Sequence, residues 1–104
     1  MHISESEWRV FKEVRAAALD RFCHRILDES VAVCGDQTRS AHQRYLDLYA
    51  LIHRRDKEIQ QAFDDPRRST AILSLMVMQQ HGLVTPAELD RFSADTVKIV
   101  TGDF

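Results

Sequence analysis

The sequence predicts an all-α fold: a long antiparallel helical hairpin packed by a central apolar helix and one or two short C-terminal helices. Three observations carry this. Apolar residues recur every three or four positions over most of the chain, the spacing that lines one face of a helix. Both prolines follow residues able to cap a helix: Asp65 precedes Pro66, and Thr85-Pro86-Ala87-Glu88 is spaced as a capping box. Gly82, one of only 3 glycines, stands just after an apolar run, where a helix C-terminus takes a left-handed residue.

The first helix spans roughly residues 4–33, with Trp8, Phe11, Val14, Ala18, Leu19, Phe22 and Ile26 in one broad apolar stripe. Ser4 or Ser6 is placed to cap it, and Glu5 and Glu7 suit the positive end of its dipole. Its end falls between Glu29 and Cys34, because Ser30-Val31-Ala32-Val33 forms helix weakly. Residues 35–39 read as a loop and Ser40 as the cap of the second helix, where Tyr45, Leu48, Ile52, Ile59, Ala62 and Phe63 keep a heptad-like spacing. That helix ends by Asp65, since the residue before a proline avoids helical geometry.

The third helix, from about Pro66 to His81, is apolar nearly all round through residues 71–78 and belongs in the middle of a bundle. Gly82 stops it, and Leu83 is placed to fold back on the preceding turn. A short helix follows from Pro86 to about Arg91. Ser93 caps a last one through Val97 and Val100, and residues 101–104 are expected to fray.

Helices one and two, roughly 40 and 35 Å long, outreach the roughly 24 Å of helix three. Helix three starts at the open end of the hairpin, so the stripe near the loop is expected to stay uncovered unless the last two helices swing across it. Ile26, Leu27, Tyr45, Leu48 and Tyr49 are the expected surface of a homodimer.

A chain of 104 residues reads as one domain, 1–104. A net charge of -2 gives the whole molecule no pull on nucleic acid or anionic lipid. The N-terminal segment through Trp8 is acidic and lacks the apolar core of a signal peptide, and the longest nearly apolar run, residues 71–78, is too short to span a bilayer. The expected location is the cytoplasm. Cys23 and Cys34 lie about 16 Å apart along one helix, beyond disulfide reach, and read as reduced thiols.

Among polar residues, Arg15 and Asp56 stand inside the apolar stripes of their helices. A hairpin turning near Gln37 brings them close in level, so an interhelical Arg15–Asp56 salt bridge is expected. Arg67-Arg68-Ser69-Thr70 opens the third helix and offers an anion or partner contact, although Asp64 and Asp65 beside it supply the arginines with local partners. Asp20, His24 and Asp28 share one helix face, but no second cluster supports them and no metal site is expected. The chain has no His-Glu-x-x-His, no close cysteine pair and no glycine-rich phosphate loop, and no cofactor is expected. The segment from Leu75 to Leu89 has the outline of a helix-turn-helix, but its second helix is short and carries acidic Glu88 and Asp90 where a recognition helix needs basic and amide side chains.

Ser40-Ala41-His42, Arg44-Tyr45-Leu46, Arg55-Asp56 and the run Ala62-Phe63-Asp64-Asp65 with Arg67-Arg68-Ser69-Thr70-Ala71 resemble small all-helical proteins of proteobacteria, a group that implies no activity. Gly82-Leu83-x-Thr85-x-x-Glu88-Leu89 is similar to the short C-terminal helical hairpins called SHOCT domains, which implies oligomerisation. The expected function is that of a non-enzymatic helical protein acting through protein contacts as a homodimer. A regulator that binds DNA or a phosphate-bearing ligand near Arg67 and Arg68 is the alternative. An enzyme would require a pocket onto which Asp56, His53 or Arg15 opens.

Overall fold

The computed structural model describes residues 3–103; Met1, His2 and Phe104 lie outside the described residues. The regular elements among the described residues are all helical: α1 (Glu5–Gly35), α2 (Ala41–Phe63), a 3-10 turn (Arg68–Thr70), α3 (Ala71–Gln80), α4 (Pro86–Leu89) and α5 (Ala94–Thr101). No strand occurs among the described residues.

Local chemistry sets most of these boundaries. The hydroxyl oxygens of Ser4, Ser40 and Ser93 accept from the amides of Glu7, Gln43 and Thr96, capping α1, α2 and α5. Thr85 and Glu88 close the expected capping box on α4. Gly82 takes the left-handed conformation (φ 68°), and the Leu83 amide donates back to the Met78 carbonyl at 3.0 Å, tucking Leu83 fully under the bundle. At the end of α5, Gly102 (φ 70°) plays the same part, so Thr101 is helical rather than frayed. The expectation for Phe104 falls outside the described residues.

Besides α4, which ends at Leu89 and not at about Arg91, two boundaries differ from expectation. α1 runs on to Gly35, through the weak segment at 30–33, because α2 lies alongside it. The third helix begins at Ala71 and not at Pro66. Asp65 adopts a left-handed backbone (φ 51°), a conformation aspartate tolerates, and so cannot cap a helix from an extended geometry. Its carboxylate instead takes Arg67 at 2.6 Å, Arg67 itself is extended, and the chain re-enters helix through the 3-10 turn.

α1 and α2 form the antiparallel hairpin, and α3 packs against both and against α5. The core gathers Phe11, Val14, Ala18 and Phe22 of α1, Ala62 and Phe63 of α2, and Ile72, Leu75 and Met78 of α3. Leu83, Leu89, Phe92 and Val100 close it from the C-terminal side. This core occupies one end of an elongated molecule of 52 × 24 × 23 Å.

Candidate functional site

The hairpin continues past this core, and its far half is built differently. Over residues 27–52 only Leu51 is buried. Leu27, Val31, Tyr45, Leu46, Tyr49 and Ile52 all stand exposed there. Of the five residues expected to form a dimer surface, Leu27, Tyr45 and Tyr49 are exposed and Leu48 is half-buried. Ile26 belongs instead to the core, at 7% exposure, because it is the last residue of the α1 stripe that the bundle reaches.

Polar groups hold this bare half in register. Arg55 donates to both carboxylate oxygens of Glu58 and, across the hairpin, to both of Glu29. These hydrogen bonds, first to Glu29 and then to Glu58, raise the Arg55 pKa above its ordinary value. Nearer the loop, Arg44 donates to the Cys34 carbonyl at the end of α1, where a cation meets the negative end of the helix dipole. Arg39 and Gln43 both donate to Asp47, and these contacts, Gln43 foremost, hold its carboxyl below the usual carboxylate range. Asp36 is likewise lowered by the hydroxyl and amide of Thr38. Two shallow grooves flank the hairpin. One, of about 460 Å³, runs between Glu29, Val33, Ala50 and Arg54. The other, of about 290 Å³, is lined by Cys34, Ala41, Arg44, Tyr45 and Leu48.

Arg15 and Asp56 are not brought together. Arg15 is half-buried and donates through Nε (3.2 Å) and Nη2 (2.5 Å) to the Phe63 carbonyl, with its guanidinium over the Phe63 ring. Asp56 is exposed and accepts only from Gln60. The register explains the correction. Arg44 on Cys34 and Arg55 on Glu29 set the two helices so that residue 15 lies level with the end of α2, one turn beyond the expected residue 59. A cation at the unsatisfied carbonyls of a helix C-terminus needs no carboxylate.

Arg67 and Arg68 do not converge. Arg67 pairs with Asp65, while Arg68 reaches across to Glu5 and the Ile3 carbonyl. The Thr70 hydroxyl donates back to the Arg67 carbonyl. The segment is thus a tie between the chain's start and α3. Asp20 and His24 approach to 3.5 Å, and among the described residues no three histidine, cysteine or acidic side chains gather as a metal site.

Composition and spacing gave no hint of Arg21 and Arg25. Arg21 grips both Glu88 oxygens and the Leu83 carbonyl, and Arg25 holds the His81 and Gly82 carbonyls. The Glu88 carboxyl falls to about 2, driven mainly by Arg21 and then by Thr85 against an opposing burial effect. Both arginines serve the α3–α4 connection. The two sit four apart, a spacing that would have put them on one flank of α1, but nothing in a sequence says what faces that flank.

No family model matches the chain, and neither the curated proteins nor the solved structures give a match. Among the described residues no helix is long and apolar enough to cross a membrane.

Proposed function

We propose that this protein is a non-enzymatic interaction module that dimerises through the far half of its helical hairpin. One observation carries the reading. Of seven exposed large apolar side chains among the described residues, six lie between Leu27 and Ile52, with Leu73 the exception, and four of them are more than 60% exposed. Single exposed apolar residues are ordinary on a surface, whereas a cluster on one segment marks a contact. The bare segment is nonetheless a continuous, capped and cross-linked helix pair, so it offers a partner a rigid surface that needs no ordering on binding. Nothing favours the anion-binding alternative, since carboxylates already occupy both arginines it would need.

Light scattering and sedimentation at about 100 μM, far above the Kd of most specific interfaces, test the proposal. A dimer is expected. The double variant Leu27→Glu, Tyr49→Glu is expected to sediment as a monomer whose Tm matches that of the wild type in dilute solution. A wild-type protein that stays monomeric at that concentration rejects the reading.

A further inference from the structure

Resting on that dimer, we propose that the second copy lies antiparallel, hairpin face against hairpin face, about a two-fold axis crossing near Val31 and Tyr49. The two hairpin tips then overlap and point in opposite directions.

Apart from Leu46, which lies about 100° around α2 from Tyr45, the exposed apolar residues of the far half share one side of the hairpin. At 3.6 residues per turn Leu27 lies about 200° around α1 from Arg25, which faces the α3–α4 connection, so Leu27 looks away from α3–α5. Val31 and Cys34 follow Leu27 at helical spacing. On α2, Ala41, Tyr45, Leu48 and Ile52 form the matching stripe, and Cys34 shares a single groove with Ala41, Tyr45 and Leu48. The two stripes therefore open on the same side as one surface. The Arg44–Cys34 and Arg55–Glu29 links place Val31 level with Tyr49, near the middle of this patch.

Charge gives the second copy its direction. On the core side of the patch stand Asp20 and Asp56, and neither meets an arginine or lysine within the described residues. On the tip side Arg39 is engaged by Asp47 and Arg44 by the Cys34 carbonyl, and His42 is the exposed basic side chain. An antiparallel copy turned about the Val31–Tyr49 level brings residue 42 of one chain level with residue 56 of the other, and the tip loop beside Asp20. Aligning the tips in the same direction would instead set Asp20 against Asp56 in both halves of the interface, where desolvated like charges repel.

The area suffices. A face from Ala41 to Asp56 is about 24 Å long and two helices, about 20 Å, wide, so two copies bury on the order of 1,000 Å², the lower bound of specific interfaces. Two molecules of 52 Å overlapping by about 24 Å make a rod about 80 Å long with α3–α5 at each end, against about 50 Å for tips aligned.

Two exposed positions test the orientation in a Cys23→Ala, Cys34→Ser background. With a short bismaleimide, Val31→Cys is expected to link to itself and Tyr49→Cys to itself. A mixture of the two variants should give little of the mixed product. Small-angle scattering should report a maximum dimension near 80 Å, set by the overlapped helices. A dimer near 50 Å, preferential Val31–Tyr49 linking, or failure of Val31→Cys to link to itself overturns the orientation while the dimer stands. A chain that remains monomeric overturns both.

Discussion

The same two helices behave differently at their two ends. From Phe11 to Ile26, α1 buries a residue at nearly every turn against α2, α3 and the C-terminal helices. From Leu27 to Ile52 the pair is joined chiefly by Leu51, by Arg55 with its two glutamates and by Arg44 on a helix terminus. Burial of apolar area is the main stabilising contribution to a fold, so the core end holds the molecule together while the far end is held by polar links and helix propensity. An isolated helix pair of this kind is marginal in water. The contrast teaches that the hairpin is longer than the domain requires, and the surplus length is what carries the apolar surface.

The largest test of that contrast is a truncation at the core end. Phe63 is 2% exposed, packs near Phe22 and lies under the Arg15 guanidinium. Phe63→Ala should destabilise by about 3–5 kcal/mol, read by urea unfolding. A cost near that of a surface substitution would mean the core is not the cooperative unit described.

Next in size is the Arg21–Glu88 pair, which ties α1 to α4. Glu88→Gln should cost about 2 kcal/mol at neutral pH, because it loses a charge-assisted bidentate contact. The pH dependence follows from the depressed carboxyl. Its contribution is complete above the ordinary value of 4.5 and is lost as pH falls toward about 2. Stability measured across that window should fall less steeply with acid in Glu88→Gln than in the parent. An identical acid limb would place the sensitivity elsewhere.

Arg15 and Asp56 provide an internal control, since both stand within apolar stripes in the sequence. Arg15→Met should cost about 1.5 kcal/mol through the lost bonds to the Phe63 carbonyl, whereas Asp56→Ala should stay within about 0.5 kcal/mol. Equal, large losses in both would restore the expected salt bridge.

These residues also show where the sequence stops being readable. Serine caps, the Thr85–Glu88 box and the left-handed Gly82 are local, and each boundary they imply is where the structure has it. The apolar character of residues 71–78 likewise placed α3 against the hairpin. Partner identities were not legible. Arg15 misses Asp56 because pairing depends on where the loop at 36–40 sets the register, and a shift of one turn changes every opposite number. Arg21 with Glu88, and Arg68 with Glu5, join positions more than sixty residues apart, which no spacing rule reaches. The start of α3 was misplaced for a related reason: a proline marks a helix start only when the residue before it is extended, and Asp65 is left-handed.

The smallest effect is also the sharpest, because its sign should invert between the two ends. Val31 is 72% exposed within a helix, so in dilute protein Val31→Ala loses no packing and gains helix propensity, raising stability by about 0.5 kcal/mol. The same truncation at buried Val14 removes packed atoms and should lower stability by roughly 1–3 kcal/mol. Concentration supplies the second axis. If Val31 meets a second copy, its advantage in dilute solution should disappear as the protein approaches about 100 μM, since the wild type then gains stability from association by mass action. Thermal unfolding at two concentrations separates the cases. A Val31→Ala advantage that persists undiminished would make the far half of the hairpin an ordinary solvated surface.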